Sequence, residues 1–264
     1  MSKAQTPENF RDAINLFERA LSLDPQSVEA QTHLAFALAL RVTIFMTDSA
    51  VTDLARAEGL IDQALAASPG ISYAHYVKGS LLRLSNRWDQ ATGEFETARS
   101  LNPNSANALQ GLGWCKLYAG LLDEVIPLGE QAIRLSLREP GIGFRYLLIG
   151  SAYLLRSHTD EAIVWLEKAR SALPSVPVVR GRLAAAYALR GDTEGAATEL
   201  AEARRLAGDA FSSIARLKAN GVVGDVFTSI ARSRSDGASG VPHMRAVLEA
   251  TYFAGLRKAG MPEG

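Results

Sequence analysis

The residue types that most often carry catalysis or metal binding are few in this chain and are scattered along it. Its 264 residues include four histidines and one cysteine. No histidine stands beside a cysteine or a carboxylate at the spacing that zinc ligands show. No glycine-rich loop ends in Lys-Ser or Lys-Thr to bind phosphate, and no G-x-S-x-G turn presents a nucleophilic serine. The sequence therefore predicts no catalytic residue, no metal site and no bound cofactor.

Two pairs of acids and the cysteine have simpler explanations than chemistry. Asp123-Glu124 and Asp160-Glu161 each stand at the start of a predicted helix, where carboxylates interact favourably with the helix dipole. Cys115 follows Trp114 inside another predicted helix, and we expect a buried or half-buried, unreactive thiol there. One cysteine forms no internal disulfide, so a reducing compartment fits.

The helical pattern of the chain is clearest in residues 141–174. Two apolar stripes at helical spacing are separated by the polar residues 157–160, and Pro174 ends the second stripe. Gly150 lies within the first stripe, where its small size lets a second helix approach closely. Two helices joined by a turn in 34 residues, with the spacing W-x2-L-G-x2-Y…A-x3-F…P, form the tetratricopeptide pattern.

The rest of the chain repeats this pattern. Residues 1–208 contain a leading half-repeat and five full repeats, and an insertion near 42–54 lengthens the first full repeat. Residues 209–264 lose the pattern, and they are predicted to form a helical C-terminal cap with a mobile loop near 229–242. The predicted fold is all-α, a right-handed superhelix of tetratricopeptide repeats closed by that cap.

The N-terminal helix is predicted without the partner helix that a full repeat would supply. Its apolar stripe of Ile14, Phe17 and Leu21 would then lie uncovered. We therefore expect either that the chain is the C-terminal piece of a longer protein or that this helix supports an oligomer.

Composition excludes some classes of partner. Lysine plus arginine equals aspartate plus glutamate, 28 against 28, so no net field favours nucleic acid or an anionic membrane. The most apolar run, residues 34–46, is too short to span a bilayer, and the N-terminus does not resemble a secretory signal. We expect a cytoplasmic protein.

The surface left for function is the face formed by the first helices of the repeats, which extended peptides can occupy. Positions 2, 5, 9 and 12 of each first helix should face it. In the last repeat these positions include Gly181 and Ala185. The predicted contacts are Phe36, Tyr73, Tyr76, Arg83, Gln110, Trp114, Phe144 and Leu147.

The predicted face is aromatic and aliphatic, which suits an apolar partner segment. Tetratricopeptide domains that hold acidic chaperone tails use lysines and asparagines at such positions, and only Asn107 matches here. An alternative stays open: the rings could pack between neighbouring repeats, or against the tail folded back onto this face.

Five stretches resemble one family beyond the generic repeat. They are residues 53–70 (DLARAEGLIDQALAASPG), 156–174 (RSHTDEAIVWLEKARSALP), 185–206 (AAYALRGDTEGAATELAEARRL), 211–221 (FSSIARLKANG) and 250–263 (ATYFAGLRKAGMPE). Together they resemble the C-terminal tetratricopeptide region of bacterial class III adenylate/guanylate cyclases. Related regions follow winged-helix domains in transcription regulators. The catalytic half of such cyclases is an α/β domain with metal-binding aspartates, and nothing here matches it.

The resemblance implies a regulatory arm rather than an enzyme. We expect a non-catalytic protein–protein interaction module, the C-terminal part of a cyclase-type signalling protein. The alternatives are the arm of a winged-helix transcription regulator and a stand-alone tetratricopeptide adaptor. The expected partner is a protein or peptide segment, for which the N-terminal output domain of the same protein is one candidate.

Overall fold

The computed structural model describes residues 7–44, 47, 49–136, 141–219 and 241–264, and every structural statement below concerns those residues. The helices are α1 (Pro7–Leu23), α2 (Val28–Thr43), α3 (Ala50–Ala67), α4 (Ser72–Leu84), α5 (Trp88–Leu101), α6 (Ala106–Tyr118), α7 (Leu122–Leu135), α8 (Ile142–Leu155), α9 (Thr159–Ala172), α10 (Pro177–Arg190), α11 (Thr193–Ala207), α12 (Ile214–Ala219), α13 (Val241–Leu248) and α14 (Ala254–Lys258). A 3-10 turn spans Gly208–Phe211, and a π-helical segment, Glu249–Phe253, joins α13 to α14.

Local signals in the sequence fix several helix ends. The side chains of Ser27, Ser49 and Asp192 accept a hydrogen bond from a backbone N–H in the first turn of α2, α3 and α11, as N-cap residues do. Pro177 opens α10, where its missing N–H costs nothing. Gly191 ends α10 with φ +95°, a left-handed conformation that glycine adopts without steric penalty.

The helices divide into two compact units, residues 1–112 and 113–264. In the first unit α1 packs on α2, α2 on α3, and α4 on α5.

Phe95 of α5 is 1% exposed, and its ring lies between two glycines. A Cβ atom on Gly79 would lie 2.7 Å from Phe95 Cε1, and one on Gly111 would lie 2.5 Å from it. The Phe95 ring therefore fits between Gly79 and Gly111 only because these two residues carry no side chain.

The N-terminal helix α1 is partly covered on the side where an open stripe was predicted. Ile14 is 6% exposed, and Phe17 stacks on His33 of α2 at 5.5 Å. The more exposed apolar side chains of α1 are Leu16 and Leu23, at 66% and 82%. Ile14 is thus buried and Phe17 contacts α2, whereas Phe17 and Leu21 stay half-buried, so the stripe is covered only in part.

In the second unit consecutive helices from α7 to α11 pack against one another. A Cβ atom on Gly129 would lie 2.6 Å from Ile149 Cγ1, and one on Gly150 would lie 2.7 Å from Leu166 Cγ. Gly150 therefore allows the close helix approach that its place in the sequence pattern predicts.

The C-terminal tail folds against α8 and α10 of the same unit. In the π-helical segment three consecutive residues, Thr251, Tyr252 and Phe253, are all buried. One regular α-helical stripe would not bury three neighbours in sequence, because successive residues of an α-helix point about 100° apart. A Cβ atom on Gly255 would lie 2.5 Å from the carbonyl oxygen of Ala185, so the two backbones are in direct contact.

The predicted insertion and the predicted loop fall partly outside the described residues. In the described part, α2 has 16 residues and α3 has 18, against 13 in α4 and 14 in α5. The segment between α2 and α3 includes residues 45, 46 and 48, which are not described. Of the loop predicted near 229–242, residues 229–240 also lie outside the described residues, and α13 begins at Val241.

The predicted all-α tetratricopeptide-repeat fold is confirmed. The described residues form helices and turns with no strand, and the helix pairs follow the predicted repeat pattern. None of these helices combines the length and the apolar character needed to cross a membrane.

Candidate partner-binding surfaces

The side chains with the most reactive chemistry are buried or paired with neighbouring groups. Cys115 is buried, as predicted. The carboxylate of Asp123 pairs with Arg156 at 3.1 Å. His75 contacts Glu94 Oε2 at 2.6 Å and the carbonyl oxygen of Pro69 at 2.8 Å, a pairing that the sequence did not indicate. Within the described ranges no three His, Cys, Asp or Glu side chains are placed to hold a metal ion.

Three of the predicted contact residues come together in the first unit. The ring of Phe36 lies 5.8 Å from that of Tyr73 and 6.0 Å from that of Tyr76, and the two tyrosine rings are 5.8 Å apart. We call Phe36, Tyr73 and Tyr76 the aromatic surface. They belong to α2 and α4, the first helices of two successive repeats, which pack against each other.

Two members of the aromatic surface keep part of their rings exposed. Phe36 and Tyr73 are half-buried, whereas Tyr76 is 8% exposed and also packs on Phe95 at 6.0 Å. Tyr76 therefore joins the surface to the core between α4 and α5. Burial raises the pKa of the Tyr73 phenol strongly, and the neighbouring Tyr76 raises it further. The Tyr73 side chain is accordingly neutral at physiological pH.

Arg83 and Gln110 belong to the same unit. Arg83 is half-buried in the last turn of α4. Gln110 of α6 is 9% exposed, and its Oε1 atom has no hydrogen-bond partner among the described residues. No ring contact or hydrogen bond in the described part of the chain joins either residue to Phe36 or Tyr73.

The other predicted contacts belong to the second unit. Trp114 is half-buried; its ring stacks on Tyr118 at 6.0 Å and lies 5.4 Å from the guanidinium carbon of Arg182. Phe144 is buried. Leu147 is 4% exposed, so most of its side chain contributes to the interior of this unit. Their role in partner binding stays a prediction.

The tail covers the predicted face of the last repeat. A Cβ atom on Gly181 would lie 2.5 Å from Phe211 Cε1 and 3.1 Å from the hydroxyl oxygen of Tyr252. Ala185, one helical turn further on, contacts Gly255. The alternative left open by the sequence, in which the tail folds back onto the inner positions, therefore describes this repeat.

The structure also brings together polar groups that sequence reasoning did not select. Arg182 of α10 and Tyr252 of the tail line one cleft with Ser151 and Tyr118. Arg182 stands in a mostly apolar helix, VVRGRLAAAYAL, and a charge inside that apolar pattern is the one signal that could have marked it. Tyr252 could not be assigned to the cleft from sequence, because its position depends on how the tail docks.

Comparison with known proteins places the fold. A tetratricopeptide-repeat family model matches residues 49–105. A comparison with curated protein sequences gave no match. Three solved structures are similar in fold: the APC/C hetero-tetramer Cut9-Hcn1 (TM-score 0.62, 15% identity, 95% of this chain and 52% of that chain), TTC0263, a thermophilic TPR protein of Thermus thermophilus (0.54, 21%, 67% and 92%), and PilW, a type IV pilus biogenesis factor (0.53, 19%, 87% and 98%).

These likenesses concern the fold, since the identities are all below 25%. The chain spans about half the length of the Cut9-Hcn1 chain that it matches. Residues 49–105 are a tetratricopeptide segment, and the chain has the fold of tetratricopeptide-repeat proteins.

Proposed function

We propose that this chain is a non-catalytic protein–protein interaction module that holds an apolar segment of a partner on the aromatic surface. The observation that carries the proposal is the set of rings of Phe36, Tyr73 and Tyr76, which lie within 6.0 Å of one another; Phe36 and Tyr73 keep part of their rings exposed, and the buried Tyr76 supports them. Repeat proteins of this kind offer extended concave surfaces on which other chains bind.

The physical basis is the way aromatic rings gain binding free energy. Phe36 and Tyr73 are already ordered by ring contacts with each other and with Tyr76. Covering rings that are already ordered removes apolar area from water while little side-chain entropy is lost. The neutral phenol of Tyr73 adds a hydrogen-bonding group at the edge without the desolvation cost of a charge. This combination suits an extended segment with apolar or aromatic anchors.

We further propose that the module is the regulatory C-terminal part of an adenylate/guanylate cyclase-type signalling protein in a bacterial cytoplasm, with its own output domain as a candidate partner. The resemblance of residues 53–70, 156–174, 185–206, 211–221 and 250–263 supports this proposal. An arm of a winged-helix transcription regulator and a stand-alone adaptor are the alternatives, and the tetratricopeptide fold is compatible with both.

Selection from a random peptide display library tests the binding proposal and does not require the partner to be identified first. The purified chain should enrich peptides that share apolar or aromatic anchors. The same peptides should be lost when Phe36→Ala is used as bait. They should be kept when the bait is Trp88→Ala, a half-buried ring on α5 in the same unit. Enrichment that Phe36→Ala retains in full would contradict the proposed surface.

The parent protein is tested separately. The reading frame upstream of the chain in the source genome would encode an α/β segment with paired aspartates for a cyclase, or a basic helix-turn-helix for a regulator. Purified chain incubated with ATP or GTP and a divalent metal should form no cyclic nucleotide. Turnover in that assay would overturn the non-catalytic assignment.

A further inference from the structure

The second unit contains a cleft whose walls combine apolar and polar side chains. Its volume is about 340 Å³ when the open solvent at its mouth is included, and the enclosed part has space for about one water-sized group, such as a single oxygen atom. The walls come from the end of α6, from α8 and α10, and from the tail. The lining residues are Leu117, Tyr118, Ser151, Leu154, Leu155, Arg182, Leu248 and Tyr252.

Arg182 is the residue in this cleft that the fold does not explain. It is 8% exposed, and its Nη1 nitrogen has no hydrogen-bond partner in the described ranges. No carboxylate of the described residues pairs with it, whereas Arg170 and Arg180 both pair with Glu199, at 2.5 and 3.0 Å. A guanidinium stays protonated inside proteins. Among the described residues, the contact that balances this buried positive charge is the ring of Trp114, 5.4 Å away.

A second donor lines the same cleft. Tyr252 is 2% exposed, and its hydroxyl oxygen has no hydrogen-bond partner among the described residues. Burial raises the pKa of this phenol, and the charge of Arg182 partly offsets that rise, so the two groups are within electrostatic range. The neutral hydroxyl can donate one hydrogen bond. Tyr252 lies in the π-helical segment, and such segments occur often at functional sites.

A buried guanidinium nitrogen and a buried phenol hydroxyl without hydrogen-bond partners cost folding stability, and such groups mark places where water, an ion or a ligand completes them. Ser151 adds an acceptor rather than a free donor, because its hydroxyl donates to the carbonyl oxygen of Leu147. The number of charges also limits the ligand. One guanidinium balances a single negative charge, and the small interior does not suit a phosphate group with several charged oxygens.

We infer that this cleft binds one carboxylate group, which accepts hydrogen bonds from the guanidinium of Arg182 and the hydroxyl of Tyr252. The other walls of the cleft are apolar, since four buried leucines line it: Leu117, Leu154, Leu155 and Leu248. The site lies in the second unit and is independent of the aromatic surface, so it adds a second recognition element to the proposed function. The carboxylate comes either from a small apolar acid or from a peptide terminus.

The full-length chain is titrated with sodium butyrate, with butyramide as the uncharged analogue and sodium chloride at matched ionic strength. The signal is the emission of Trp114, observed in a Trp88→Phe/Trp165→Phe background so that no other tryptophan contributes. Butyrate should give a saturable change, while butyramide and chloride should not. A response to chloride equal to that of butyrate, or no saturation, would overturn the carboxylate site.

Two variants test the donors, and a third is the matched control. Arg182→Met and Tyr252→Phe should each weaken butyrate binding by about 10-fold or more, because a charge-assisted hydrogen bond is lost. Arg190→Met should bind as the parent does. Arg190 lies on the same helix and has a similar ring contact, 5.3 Å from Tyr187, but it is exposed and pairs with Asp192. Equal losses in all three variants would also overturn the proposal.

A melting measurement separates binding from folding. Arg182→Met should melt no lower than the parent without ligand, since it removes a buried unpaired charge and keeps an apolar side chain. Parent-like butyrate affinity in Arg182→Met would refute the role of the guanidinium. A peptide with a free C-terminus that binds more tightly than both its C-terminal amide and butyrate would identify a peptide source; tighter binding of butyrate would identify a small acid. The aromatic-surface selection uses residues of the first unit only, so either experiment can fail alone.

Discussion

Replacing Gly79 with alanine should destabilise the first unit even though alanine is the better helix former. The new Cβ would lie 2.7, 2.8 and 3.0 Å from three atoms of the Phe95 ring. Phe95 has no space to move away, because it is 1% exposed and a Cβ on Gly111 would lie 2.5 Å from the same ring. The Phe95 ring is thus confined from two sides.

The expected magnitude follows from two opposing terms. Inserting a methyl group into a filled core costs about 1–3 kcal/mol. The glycine-to-alanine change inside a helix stabilises the folded state by about 1 kcal/mol, because alanine has the higher helix propensity. The net loss in unfolding free energy for Gly79→Ala should be up to about 2 kcal/mol. Gly93→Ala is the matched control in the same unit: Gly93 is exposed on α5 with no atom within 4 Å of its Cβ position, so this variant should gain about 0.5–1 kcal/mol.

Urea unfolding followed by circular dichroism measures both variants, and the sign of the change is the test. A double-mutant cycle with Phe95→Leu should reveal coupling, because the smaller side chain relieves the contact with the methyl group introduced by Gly79→Ala. Equal stability of Gly79→Ala and Gly93→Ala, or no coupling with Phe95→Leu, would refute the packing described for Phe95.

Further predictions concern packing and pH. Ala98→Leu and Ala169→Leu, both at positions with 0% exposure, should each lower the unfolding free energy by about 1–3 kcal/mol through overpacking; melting temperatures equal to that of the parent would show that the repeat register is wrong. Burial by itself would raise the pKa of Glu249, but hydrogen bonds from Lys218 and Arg257 outweigh it and lower that pKa. Because the folded-state pKa is depressed, this stabilisation is present above the unfolded-state pKa and is lost as pH falls through the folded-state value. Limited proteolysis of the tail should therefore increase on acidification below about pH 4, and Glu249→Gln should remove that dependence; an unchanged pH profile in Glu249→Gln would contradict it.

The repeats could be predicted from sequence because each helix carries its own local signals. The stripe around Gly150, the proline at 174 and the spacing of 34 residues depend only on neighbours within one repeat. Phe36, Tyr73 and Tyr76 were all assigned from sequence to the inner face of successive first helices, and their rings lie within 6.0 Å of one another. The ring contacts themselves depend on how α2 and α4 pack, which the repeat pattern does not give.

The tail could not be predicted in the same way. Residues 209–264 do not repeat, so nothing local indicates which helices they contact. The π-helical segment that buries Tyr252 and the backbone contact between Gly255 and Ala185 are both products of docking. Arg182 was missed for the related reason that an arginine in a helix usually extends its charge into water, and here the tail closes over it.

The apolar stripe of α1 is a second case in which the sequence did not show how much of a surface is covered. Sequence pattern identified the apolar residues Ile14, Phe17 and Leu21, but it could not show that α2 supplies a partner surface. Other apolar side chains of the same helix, Leu16 and Leu23, are the ones left exposed. The spacing of apolar residues therefore indicates which face of a helix can pack. It is a less reliable guide to which of these residues a neighbouring helix covers.

The binding affinity of a selected peptide for three forms of the chain tests the central claim most directly. Isothermal titration should show that Phe36→Ala binds at least about 30-fold more weakly than the parent, the loss expected for a hot-spot residue. Trp88→Ala should bind within a few-fold of the parent, and thermal melting should show that both variants remain folded. Parent-like affinity in Phe36→Ala, or an equal loss in Trp88→Ala, would contradict the assignment of the aromatic surface as the partner-binding site.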